Sequence, residues 1–213
     1  MLLGFAFAFL GVALPAAEVA FKVVDQKNQP VVDAVVSLVP LDGTAPPAVA
    51  STSPPLEIEQ KRQEFIPYVT AIRAGTAIRF PNRDTVEHHA YSQSPARKFE
   101  LPLYKPGRAE TLLFERPGVV TVGCNIHDWM IAYVVVLSTP WLALTPAPGE
   151  ITLGNVPAGR YRAEVWHPRL AKVQTREITV APSANPAPVS FQLTLKADQR
   201  VRRAPDASGR GYR

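Results

Sequence analysis

Twenty-two prolines, spread along 213 residues, restrict this chain more than any other single feature. An interior proline removes a backbone N–H and clashes with the preceding turn, so a long helix has few places to run. Between the prolines, apolar residues recur with a period of two. Val19, Phe21 and Val23 alternate with Ala20, Lys22 and Val24, and Tyr161, Ala163 and Val165 alternate with Arg162, Glu164 and Trp166. Successive side chains of a strand point to opposite faces, so this is the pattern of strands with one face buried. Further strand-like runs lie at residues 68–72, 77–80, 111–114, 119–124 and 131–137, divided by turn residues at Ala74-Gly75, Pro81-Asn82, Pro106-Gly107 and Pro117-Gly118. An all-β chain built of β-sandwiches is expected.

Residues 2–14 carry no polar side chain and are followed by Pro15-Ala16-Ala17. The run is shorter than the ~20 residues that span a bilayer, and small residues close it, so residues 1–17 read as an export signal. No Lys or Arg precedes it. Either the α-amino group of Met1 supplies the positive charge or the start lies upstream, and an uncleaved amino-terminal anchor is the other reading. Residues 18–45 then read as a hairpin of two strands, 43–55 as a Pro/Ala/Ser/Thr-rich linker and 56–138 as a sandwich. After a second proline cluster, residues 146–196 read as half-buried antiparallel strands. A lone hairpin is marginal in water, so the first two strands are expected to complete that second sheet. Residues 197–213 form a basic tail. From Lys196 onward the chain end supplies +4 of the formal +5 charge, so the body is nearly neutral. This argues against a nucleic-acid partner and leaves only the tail, or an uncleaved amino terminus, to meet a membrane.

Chemistry-bearing residues gather in two places. Cys124 is the only cysteine, and one reading is a buried inert thiol. Its neighbours offer another: Cys124, His127 and Met130 stand three residues apart, directly after a strand whose parity turns Val120, Val122 and Cys124 inward. With 4 His and 2 Met in the chain, that spacing coincides with the cysteine by chance in roughly one case in several thousand, so the signal is specific. Upstream, residues 82–89 read Asn-Arg-Asp-Thr-Val-Glu-His-His and bring in His88 and His89. A thiolate, two imidazoles and a thioether suit copper cycling between Cu(I) and Cu(II), whereas zinc would collect further Cys or His. His167, between Trp166 and Pro168, reads as a structural or surface histidine of the other unit.

The Cys-x-x-His-x-x-Met loop and the upstream Asn-Arg-acidic run ending in His resemble the cupredoxins, the blue-copper sandwiches typified by plastocyanin and amicyanin. The likeness covers residues 56–138. It implies a cupredoxin-like Greek-key β-sandwich holding one copper ion on His88, Cys124, His127 and Met130, with His89 as the substitute for His88. It also places Asn82, Glu87, His89 and Asp128 around the ligands. Where the family often carries Asn after the upstream ligand, tying the two ligand loops together, this chain has His89. That residue either makes the tie through a ring nitrogen or is itself the ligand. Glu87 and Asp128 stand where related proteins often have Pro, and near the metal they would favour Cu(II) and lower the potential. Trp129 and Trp141 either border a docking surface at His127 or pack in the core.

The segments VVDQKNQPVVDAVVSLV and ITLGNVPAGRYRAEVWHP resemble the carboxypeptidase-regulatory-like module, implying a second, transthyretin/Ig-like sandwich into which the first is inserted. The whole layout, with FPNRDTVEHHAYSQSP, KFELPLY and PGVVTVGCNIHDWMIAYVVVLSTPW, resembles bacterial exported proteins commonly called methylamine-utilisation proteins. These likenesses imply a periplasmic mononuclear type 1 copper protein that passes electrons to a redox protein partner and has no small-molecule substrate. The alternative is a Cu(I)-binding copper-handling or structural cell-envelope module. An enzyme of the multicopper type would need paired His-x-His motifs, and the four histidines form none.

Overall fold

The computed structural model describes residues 16–43, 54–182 and 187–198, and every regular element in them is a strand. The expected export segment through residue 15, the linker at 44–53 and the basic tail beyond 198 lie outside the described residues. In chain order the strands begin with β1 (Ala16–Asp25), β2 (Val35–Pro40), β3 (Leu56–Glu57), β4 (Glu59–Lys61), β5 (Glu64–Ile66) and β6 (Val69–Arg73). They continue with β7 (Thr76–Pro81), β8 (His88–Ser92), β9 (Phe99–Tyr104), β10 (Ala109–Phe114), β11 (Gly118–Gly123) and β12 (Ile131–Leu137). The last five are β13 (Leu142–Leu144), β14 (Glu150–Pro157), β15 (Gly159–Trp166), β16 (Gln174–Val180) and β17 (Val189–Leu193).

Ten consecutive strands make the first sandwich. One sheet runs β10-β7-β3 and the other β6-β12-β11-β8-β9, with β4 and β5 pairing as a separate hairpin. Inward residues of both sheets, among them Ile78, Phe80, Phe114, Val120, Val122, Val134 and Val136, close one core in which Cys124 and Met130 also sit. Strand β12 explains the unbroken apolar run of its sequence. Ala132, Val134 and Val136 enter this core, while Val135 on the opposite face joins Val69 and Val35 in a smaller cluster that includes Tyr133 and Trp166. A strand covered on both faces has no use for alternating polar residues.

The smaller cluster is the seam to a second sandwich, whose sheets run β14-β1-β17 and β13-β2-β15-β16. Its core holds Phe21, Val23, Val36, Leu38, Ala163, Val165, Phe191 and Leu193. Strands β1 and β2 thus pair with strands from the far end of the chain, with the first sandwich inserted between β2 and β13. Three details depart from expectation. Ala16 and Ala17, expected in the export segment, already pair with Pro157 and Val156. The second sandwich resumes at Leu142 and not at 146, because β13 pairs with β2. Strand β17 runs parallel to β1, where antiparallel strands were expected.

The expected hairpin of the first two strands is also corrected. They lie in opposite sheets, and only a single bridge, Val24 to Pro30, joins the two arms. Pro30 has no N–H with which to extend the ladder, and Asp33 adopts φ 61°, so the chain crosses between sheets instead of folding back along one. Crossing inside a core exposes backbone groups that need partners. The buried Thr145 hydroxyl supplies them, donating to the Val31 carbonyl at 2.6 Å and accepting from the Ala34 N–H at 3.0 Å. Thr145→Val keeps the shape and strands both groups, so urea unfolding should show a loss of about 1–3 kcal/mol. Wild-type stability in that variant would mean the crossover is held by packing alone.

Candidate metal centre

Strand parity delivers the first donor. Val120 and Val122 are buried along β11, and Cys124, the first residue past it, continues on the same inward face with 4% of its surface exposed. A short loop, closed by the Met130 N–H bonding the His127 carbonyl at 2.9 Å, then returns the chain to β12. His127 sits half-buried on that loop, with its Nδ1 3.7 Å from the Cys124 sulfur. His88 opens β8 and is fully buried. One ligand atom from each of His88, Cys124 and His127 lies within 4.8 Å of the other two. The His88 and His127 rings are 4.9 Å apart. Met130 is buried in the same core as Cys124, and the two share the wall of a cavity of about 490 Å³.

The loop before His88 is shaped by Asn82, which is 1% exposed. Its amide nitrogen donates to the carbonyls of Val86 at 2.9 Å and Tyr104 at 3.0 Å, and its oxygen accepts the Asp84 N–H at 3.0 Å. This self-bonded turn aims the Asp84 carboxylate back at the ring of His88, with Oδ2 3.0 Å from Nε2. A carboxylate on Nε2 fixes the tautomer that leaves Nδ1 as a lone-pair donor. His88 Nδ1 is buried and has no hydrogen-bond partner. An unsatisfied buried nitrogen is costly, and a bound metal ion would resolve it.

Electrostatics act in the same direction at Cys124 and His127, whereas His88 is held towards its protonated form, from which a metal would displace the proton. Burial raises the Cys124 pKa, but the neighbouring His88 ring and the backbone N–H groups of Ile126, His89 and His127 outweigh it and bring the thiol below its ordinary value. Burial lowers His88, but its contacts with Cys124 and Asp84 hold it above the usual imidazole value. Burial and the nearby His88 push His127 down, towards the neutral ring that a metal needs. Burial raises Asp84, yet the N–H of Gln63, the His88 ring and the N–H of Thr85 keep it an anion below the ordinary carboxylate value.

The other anticipated residues fall elsewhere. The ring of His89 turns away from the cluster to Glu100, Nε2 to Oε1 3.2 Å, as adjacent strand residues must, and meets Cys124 only through its backbone. The expected tie through the His89 ring is therefore absent. Glu87 is half-buried and Asp128 exposed, and neither belongs to the cluster; the carboxylate that touches a donor ring is Asp84, which the spacing arguments did not single out. Its signal in the sequence is the Asn-Arg-Asp turn, with Asp84 four residues before His88. Trp129 stands beside His127, ring centroids 5.3 Å apart, whereas Trp141 packs on Tyr161 in the second sandwich and has no part in the site. His167 is buried there too, its Nδ1 accepting the Arg169 N–H at 3.1 Å.

No family model matches the chain, and no curated protein does. Solved structures that resemble it include a purple cupredoxin from Nitrosopumilus maritimus, at 24% identity over 38% of this chain and 99% of that one, TM-score 0.35. A copper-containing nitrite reductase, NirK from Thermus scotoductus SA-01, is 24% identical over 46% of this chain, TM-score 0.38, and the match spans only 27% of the reductase. A reduced mutant of amicyanin is 17% identical over 48% of this chain and 98% of its own, TM-score 0.37.

Titrating the metal-free protein by thiolate absorbance should place the Cys124 midpoint below the ordinary thiol value, and His88→Ala should move it upward because the stabilising cation is gone. A midpoint at or above the ordinary value in the native chain would mean that burial, not His88, governs the sulfur.

Proposed function

We propose that this chain is a mononuclear type 1 copper protein that carries single electrons between protein partners. The observation that carries this reading is the convergence of His88, Cys124 and His127 within 4.8 Å at one end of a rigid sandwich, with Met130 buried beside them. Two imidazoles and a thiolate with a thioether nearby form the donor set of blue-copper electron-transfer sites. Copper bound there supplies a one-electron Cu(II)/Cu(I) couple.

The protein's own residues do the rest. Asp84 holds the His88 ring with Nδ1 free, and the His88 ring with three backbone N–H groups lowers the pKa of the sulfur, so the donors need little rearrangement when charge changes. Cys124 and Met130 are packed into the β-core, with 4% and 2% of their surface exposed. Ile126, next to His127 in the chain, and Val86, two residues before His88, are exposed apolar side chains that a partner protein would meet. The four histidines are each accounted for, two in the cluster, His89 on Glu100 and His167 in the second sandwich, which supports a carrier and not a multicopper enzyme. The export-like apolar run at residues 2–14 and the layout resembling methylamine-utilisation proteins support a periplasmic place for it.

Titration of the protein with Cu(II), followed by absorption and electron paramagnetic resonance, should give an intense visible charge-transfer band with narrow copper hyperfine splitting at one copper per chain. Cys124→Ser should abolish the band. A colourless protein that binds only Cu(I) would replace the carrier with the copper-handling reading.

A further inference from the structure

Outside the donor set, the hairpin β4–β5 stands where both donor-bearing loops meet. Lys61 pairs with Glu64, so the connection is the two-residue turn Arg62-Gln63, with φ 56° and 55°. Positive φ at both central positions is the geometry of a tight β-hairpin turn, and the usual occupants are Asn and Gly. Arg62 and Gln63 have no such ease, so their surroundings must hold them there.

What holds Gln63 is a pair of bonds to two different loops. Its N–H donates to Asp84 Oδ2 at 2.6 Å, the same oxygen that meets His88 Nε2. Its carbonyl accepts the indole N–H of Trp129 at 3.0 Å, and Trp129 stands against the His127 ring. One residue therefore bonds by its backbone to the loop that ends at His88 and to the loop that carries Cys124, His127 and Met130. The stem beneath is anchored. Phe65 lies in the core, Gln60 is fully buried and accepts the Arg83 N–H at 2.9 Å, and Glu59 pairs with Arg83 at 3.2 Å.

We propose that the β4–β5 hairpin tip is the tie that fixes the two donor loops relative to each other, with Asp84 as the positioning residue for His88 and Trp129 as the positioning residue for His127. The proposal rests on the copper reading for its redox consequence, and on the apoprotein geometry for the tie itself. Asp84 acts through His88 and Trp129 through His127. The two are linked in series through one peptide unit, so breaking either link frees one loop from the other.

The test uses Asp84→Asn, which keeps the shape and removes the charge, and Trp129→Phe, which keeps the ring stack and removes the N–H donor. In the copper-loaded protein each variant should release copper to a chelator about 10–100-fold faster, the range for residues that orient metal ligands. The reduction potential should rise in Asp84→Asn, because the lost carboxylate favoured Cu(II). The double variant should release copper no faster than the quicker single variant, since the links are in series. In the metal-free protein, amide exchange followed by nuclear magnetic resonance should show faster exchange of the Met130 N–H in Asp84→Asn, although Asp84 lies on the other loop. Multiplicative release rates, or Met130 exchange unchanged in Asp84→Asn, would overturn the tie. If native protein takes up no copper, the carrier reading fails and the cross-loop exchange alone decides whether the tie exists.

Discussion

Burial of both faces of β12 is the constraint on which the rest of the structure depends. One face completes the core of the first sandwich and the other, through Val135 and Tyr133, meets Val35 and Trp166 of the second. Tyr133 packs against Trp166 with ring centroids 5.6 Å apart and edge-on to Tyr68 at 5.4 Å. Because the strand cannot slide without exposing one set or the other, its start at Ile131 is fixed, and with it the end of the loop that carries His127. Strand β11, in register with β12 from Gly118 to Gly123, fixes the other end of the loop at Cys124. Only six residues separate the two anchors, so the donors inherit the rigidity of the sheet.

Burying polar groups at the end of such a core costs free energy unless each finds a partner. Around the site most do: Asn82 satisfies three loop groups, Asp84 takes the Gln63 N–H and His88 Nε2, and the thiol sits among backbone N–H groups. Gln60 donates to the Tyr104 hydroxyl, which in turn donates to the Phe80 carbonyl at 3.1 Å. Of the buried atoms left without a partner, which include Gln60 Oε1 and His89 Nδ1, the His88 Nδ1 is the one in the donor cluster. That nitrogen, with the Cys124 sulfur and a second imidazole beside it, is organised for a guest that accepts lone pairs, which is a metal ion.

Much of this was legible in the chain, and what was missed had physical reasons. Period-two alternation identifies β15 and β11, because a half-buried strand leaves no other pattern, and parity alone turns Cys124 inward. The spacing of Cys124, His127 and Met130 survives as a contiguous loop. Long-range choices did not show. Whether β1 and β2 form a hairpin depends on Thr145, more than a hundred residues away, catching the backbone at Val31 and Ala34. Which acid reaches the site depends on how Asn82 folds its loop: Glu87 is adjacent to His88 in sequence, yet strand alternation turns neighbours apart, while Asp84 returns over one turn. The tie at Gln63 is carried by backbone atoms, which no side-chain pattern records.

The second sandwich also bounds the site. Asp128 and Trp129 of the donor loop form one wall of a cavity of about 550 Å³, and Pro168, Arg169 and Lys196 of the second sandwich form another. The donor loop thus meets the second sandwich across this cavity beside Trp129, while Ile126 on the same loop is 51% exposed. The inserted arrangement therefore does more than join two sandwiches: by docking on the outer face of β12 it brings residues of the second sandwich to the edge of the donor loop beside Trp129.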